Sequence, residues 1–162
     1  MKGVDTLIAS VLIILITVTA IYLALQYGSP STQKAKEILL MQEGKNNLMS
    51  IDNAVNDVIV EGEGSTRALK FTVTGGSYVI DDDSVSFTME SRAQIIGDGI
   101  SKIEDDINIT GSPNIVYMFL NYDDFLIKGG GEFGKGQRTV TVRNEGLNTT
   151  TQKQMIYISD IP

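Results

Sequence analysis

Twenty acidic and thirteen basic residues, with no histidine and no cysteine, define what chemistry this chain could perform. Thiolate–imidazole metal sites and histidine-based triads are excluded, which leaves carboxylates, lysines, hydroxyls and phenols. The acids gather at Asp81-Asp82-Asp83, Glu104-Asp105-Asp106 and Asp123-Asp124. Hard cations such as Ca²⁺ want several oxygens around one centre. Adjacent acids seldom point at one centre, however. No glycine interrupts the Asp81–Asp83 run and no bidentate Glu follows it at loop spacing. The run reads as the solvated tip of a hairpin, and the other two clusters read the same way. Paired carboxylates hydrolyse glycosides only at a fixed separation inside a cleft, and no such separation is encoded here. Neither an enzyme nor a metal or organic cofactor is expected. The remaining chemical signals are two N-x-S/T sequons, Asn108-Ile109-Thr110 and Asn148-Thr149-Thr150. Both fall in expected loops and are candidate N-glycosylation sites if the domain faces outward.

The elements that would carry these groups divide into two kinds. From about residue 67 the residues alternate as in β-strands. Candidate strands are Ala68–Thr74, Tyr78–Ile80, Val85–Met89, Ile115–Leu120, Phe125–Lys128, Arg138–Arg143 and Met155–Ile158. Turns are expected at Gly75-Gly76, Asp81–Asp83 and Asn144-Glu145-Gly146, with a flexible break at Gly129–Gly131. Ser91–Asp106 reads as loop or short helix. This pattern predicts a small antiparallel sandwich or barrel.

The first sixty residues follow a different rule. Leu7 to Leu25 carry no charge, proline or glycine. As a helix this run would cross the hydrocarbon core of a bilayer. It is apolar all round, so it needs lipid or copies of itself around it. Ala9, Thr17, Ala20 and Ala24 are small, and Ala20 and Ala24 share a face, which allows close helix approach. Gly28-Ser29-Pro30 should kink or stop the helix. Beyond it, Ile38, Met41, Leu48, Ile51, Val55 and Val58 form an apolar stripe, with Lys34, Lys36, Glu37 and Glu43 among the residues opposite. Gly44 weakens that half by about 1 kcal/mol relative to Ala. The expected fold class is therefore α+β. A long N-terminal helix, hydrophobic and then amphipathic, packs on a C-terminal all-β antiparallel sandwich-like head. The divisions are a leader at 1–3, the helix at 4–60 (apolar at 4–27, amphipathic at 31–60) and the head at 65–162. A removable secretory signal is the alternative for the N-terminus, but its apolar region would be unusually long and no clean small-x-small cut site follows.

Net charge is −7, of which residues 61–162 carry −6. An acidic body argues against nucleic acid as a partner and against flat adsorption on anionic lipid.

Lys2-Gly3 followed directly by a long apolar helix resembles the class III signal of archaeal type IV pilins and archaeal flagellins. The resemblance implies a peptidase that cuts after Gly3, behind Lys2, leaving Val4 as the first mature residue. It also implies that the helix anchors the subunit in the membrane and later packs in a filament core. A separate assembly ATPase with a membrane platform is implied as well. Ile8 stands at the fifth mature position, where bacterial pilins carry glutamate; archaeal relatives commonly lack that acid. Asp5 would lie close to the new amino group of Val4. The function expected is therefore a structural subunit of an archaeal type IV pilus-like surface filament, a homopolymer serving adhesion. The alternative is a single-pass, membrane-anchored extracytoplasmic binding domain, archaellum stator-like or a minor pilin.

Overall fold

The computed structural model describes residues 2–161, with side chains described from Ile8 onward except at Tyr27 and Ser29. One helix, α1 (Lys2–Glu61), precedes ten strands. They are β1 (Thr66–Val73), β2 (Ser77–Ile80), β3 (Ser84–Glu90), β4 (Ser101–Glu104), β5 (Ile107–Ser112), β6 (Ile115–Asn121), β7 (Phe125–Gly129), β8 (Gly131–Phe133), β9 (Gly136–Leu147) and β10 (Gln154–Ile161). The chain forms two compact units, residues 1–36 and 37–162. The division falls inside α1, so the second part of the helix belongs with the β-rich domain. The fold is α+β, as the periodicities predict.

Of the kink or stop expected at Gly28–Pro30, the stop is absent: Pro30 lies inside α1. A proline in a helix loses one N–H bond and crowds the preceding turn, which weakens a helix without having to end it. The Thr32 hydroxyl adds a bond there, donating to the Gly28 carbonyl at 2.9 Å.

In the second unit, Leu48, Ile51, Val55 and Val58 of α1 are fully buried, as the stripe predicts. Ile38 is not: it is 40% exposed, while Glu37, read as an outward residue, is only 6% exposed. The reason is a polar socket. The Glu37 carboxylate accepts hydrogen bonds from Ser91 Oγ (3.0 Å) and from the backbone N–H groups of Arg92 (3.1 Å) and Ala93 (3.0 Å). A buried carboxylate is tolerated when donors surround it, and this one ties α1 to the segment after β3. Gly44 is buried for a different reason. A Cβ there would stand 2.5 Å from Phe87 Cε1 and 2.8 Å from Met118 Cε, so only glycine lets the helix approach β3 and β6 this closely.

The strands form a four-stranded sheet, β1-β9-β10-β7, and a six-stranded sheet, β4-β5-β6-β3-β2-β8. One face of each is buried in a core shared with α1. Val85, Phe87, Val116 and Met118 come from the larger sheet, and Val140, Val142, Ile156 and Ile158 from the smaller. Tyr78 stacks on Phe133 (centroids 5.0 Å apart), and its hydroxyl accepts a bond from Asn47 Nδ2 at 3.0 Å. All pairings are antiparallel except β7 with β10, which run parallel.

Three local expectations are corrected. Ser91–Asp106 contains a strand, β4, joined to β5 by Asp105-Asp106. Both aspartates have positive φ (50° and 65°), as a two-residue type I′ hairpin turn requires. Asp105 and Asp106 are thus turn formers as well as exposed charges, and Glu104 closes β4. Second, the Gly129–Gly131 triplet is ordered. It carries the chain from β7 in the small sheet to β8 in the large one, and all three φ values are positive. A Cβ on Gly129 would collide with the Ile158 carbonyl on the neighbouring strand. Third, the chain does not turn at Asn144–Gly146. Those residues extend β9, with a bulge opposite Met155/Ile156, and the reversal comes after Leu147.

Candidate functional site

The acidic clusters come first because they carry the chemistry. Asp81, Asp82 and Asp83 form the exposed β2–β3 hairpin tip, as predicted. The tip is tied to the β6–β7 connection: Tyr122 N–H donates to the Asp83 carbonyl (2.8 Å) and Ile127 N–H to the Asp82 carbonyl (2.9 Å). Asp52, Asp106, Asp123 and Asp124 line a shallow depression nearby. Burial raises the Asp52 carboxyl above its ordinary value, with the Asp106 charge adding to the shift and the nearby Tyr122 phenol and the Asn56 bond opposing it. The buried Tyr122 hydroxyl faces Asp52 but has no partner at hydrogen-bond geometry, and its pKa is raised by burial and by the Asp52 charge. Among the described residues, no three carboxylates converge on a point where a metal ion could sit. Glu104 is held below the usual carboxylate range by Lys102 and Lys45, which spends its charge on ion pairs.

Among the described residues, the longest run of exposed large apolar side chains is the apolar half of α1. Between Ile8 and Leu25 the large side chains, isoleucine, leucine, valine and tyrosine alike, are 45–68% exposed. The most apolar 18-residue window of the helix has a mean hydropathy of 2.7, and none of it is buried. Burying one such side chain is worth roughly 1.5–3 kcal/mol against water, so this surface requires a cover. The helix is long and apolar enough to span a membrane.

The polar atoms of this segment do not offset its apolar character. Thr17 Oγ1 donates to the Ile13 carbonyl and Thr19 Oγ1 to the Leu15 carbonyl, each at 2.7 Å. Each hydroxyl proton is satisfied within its own helix, as is usual for threonine in apolar surroundings. Ala9, Thr17, Ala20 and Ala24 are all exposed. At about 100° per residue they fall within an arc of roughly 80°. One side of the segment is therefore lower in relief than the rest, with Ile13 the one large side chain inside that arc. Lys2, Gly3, Val4 and Asp5 lie in the first turns of α1, and their side chains are outside the described residues, as is Met1 altogether.

The two sequons lie in different settings. Asn108 is inside β5, paired with Ile103 on one side and Phe119 on the other, so the loop expected for it is a strand. Asn148 lies in the β9–β10 connection, as expected.

Two features outside the apolar segment escaped sequence reading. Glu37 is charged, and nothing local marks it as buried; only its three donors, more than fifty residues away, do so. Asn144 looked like a turn residue, yet it is 1% exposed and its Nδ2 donates to the Val58 carbonyl at 3.0 Å, closing the end of α1. Its place in an alternating strand, at a buried register position, was the available signal.

No family model, curated protein or solved structure matches this chain.

Proposed function

We propose that this protein is a structural subunit of an archaeal type IV pilus-like surface filament, polymerising through its N-terminal helix. The observation that supports this most is the uncovered apolar surface of Ile8–Leu25 on a chain whose other compact unit has a complete core. Before assembly, lipid covers the helix; Lys2 and the amino terminus stay on the cytoplasmic side and the acidic head lies outside. In the filament, other copies of the helix replace the lipid. Lipid is as apolar as leucine, so the exchange gains little from hydrophobicity and depends on close packing along the low-relief side at Ala9, Thr17, Ala20 and Ala24. The contact is heterologous and does not close into a ring, so it can repeat indefinitely. The resemblance supplies the rest of the reading: a peptidase cutting between Gly3 and Val4, a separate assembly ATPase, and an adhesive role for the head.

A permanent single-span anchor for an extracytoplasmic binding domain would use the same helix. N-terminal mass spectrometry on sheared cell-surface material separates the two. The filament reading expects a mature species beginning at Val4 in pelletable fibres. An intact Met1 on a monomeric membrane protein would overturn it in favour of the anchor.

A further inference from the structure

We infer that Asn148 is a glycan acceptor on the folded head and that Asn108, with an equally valid sequon, is not. The inference takes the outward-facing head from the reading above, but its chemistry rests only on the two local geometries.

A glycosyltransferase needs the side-chain amide and the hydroxyl two residues later presented together on a segment it can bend into its own site. At Asn148 the chain supplies this. Asn148 N–H donates to the Lys153 carbonyl and Gln152 N–H to the Asn148 carbonyl, both at 2.9 Å, which closes residues 148–153 into a loop in which Asn148 is half-buried and residues 149–153 are exposed. Asn148 Oδ1 accepts from the backbone N–H groups of Thr150 (2.9 Å) and Thr151 (3.1 Å), so the sequon is already bent over its own amide. The Oδ1 edge is thereby occupied, and Nδ2 is turned to the opposite edge. There it donates to the Met155 thioether at 3.6 Å, a weak acceptor on a side chain that moves easily. Thr149 and Thr150 are exposed.

At Asn108 each of these conditions fails. The residue is bonded into a three-strand ladder between β4 and β6. Successive strand residues rise about 3.3 Å, so Asn108 and Thr110 are held apart along an extended backbone. The Thr110 hydroxyl donates to Ser101 Oγ on β4 at 3.3 Å. To be modified, β5 would first have to leave both neighbours, an opening that is rarer for a strand paired on both sides than for a loop.

The step itself balances with a lipid-phosphate-linked sugar as co-reactant. The Asn148 Nδ2–C1 bond forms as the bond from C1 to the lipid phosphate oxygen breaks. The phosphate departs with the electron pair, and one Nδ2 proton passes to a base of the transferase.

The test uses the purified full chain in detergent, a single-subunit oligosaccharyltransferase with N-x-S/T specificity, and its polyprenyl-diphosphate-linked oligosaccharide, read by glycopeptide mass spectrometry. On the folded chain, occupancy at Asn148 should exceed that at Asn108 by at least about tenfold, and prior heat unfolding should bring the two together. Thr150→Ala, which keeps the backbone donor to Asn148 Oδ1, should abolish the Asn148 glycan and leave the unfolding temperature unchanged. Equal occupancy on the folded chain, preference for Asn108, or no glycan on folded Asn148 would each overturn the inference. None of these outcomes depends on whether the chain forms filaments.

Discussion

Asp52 links its protonation to the stability of the fold. It is half-buried, accepts a bond from Asn56 Nδ2 at 3.1 Å, and faces the Tyr122 phenol. Burial lifts its carboxyl above the ordinary 3.8, so the folded state holds the proton more tightly than the unfolded chain does. The stability linked to that proton is fully present below pH 3.8 and is lost as pH rises through the raised folded value. At neutral pH the ionised carboxylate is a net burden. Asp52→Asn removes the charge and keeps an oxygen acceptor for Asn56. It should raise the unfolding temperature at about pH 7, and the advantage over the native chain should vanish in acid, where both side chains are neutral. Glu104 acts with the opposite sign: its pairing with Lys102 and Lys45 stabilises above the ordinary 4.5 and is lost as pH falls through its lowered value. Both proteins share that loss, so the difference between their melting curves isolates Asp52. A variant that is less stable at neutral pH would show that the carboxylate is held by its donors and not opposed by burial.

At the scale of the element, helix propensity and packing make opposite predictions at Gly44. Propensity alone says that Gly44→Ala gains about 1 kcal/mol. The structure puts the new methyl 2.5–2.8 Å from Phe87 and Met118, both buried in the core. Overpacking a close-packed core costs about 1–3 kcal/mol, so the variant should be net destabilised, with a lower denaturation midpoint at unchanged m-value. The same residue marks the limit of sequence reading. The strands Ala68–Thr74, Val85–Met89 and Arg138–Arg143 were legible because alternation is a local property, and so was the apolar segment. The β4–β5 hairpin was not, because Asp-Asp makes a type I′ turn without the glycine that usually signals one. Gly44 and Glu37 were misjudged because their roles depend on residues far along the chain, at Phe87, Met118 and Ser91–Ala93. Of the candidate site, the apolar helix could be read from composition alone. The contrast between Asn108 and Asn148 could not, since it depends on which sequon falls within a paired strand.

At the scale of the whole molecule, the question is whether the apolar helix serves only as an anchor or also as an assembly surface. Ala20→Leu distinguishes these. Leucine is more apolar than alanine, so membrane insertion should be at least as favourable, and the head is untouched. A low-relief side used for helix–helix contact, by contrast, would be filled by the larger side chain. Overpacking of about 1–3 kcal/mol at each copy, repeated along a fibre, should lower the yield of pelletable filament by tenfold or more. The expected combination is therefore normal membrane recovery of the precursor, an unchanged unfolding temperature of the head, and few or no filaments. Undiminished filaments would show that Ala9, Thr17, Ala20 and Ala24 do not form the packing side. If the native chain formed no filaments at all, the assembly reading would fail as a whole and the anchor reading would stand in its place.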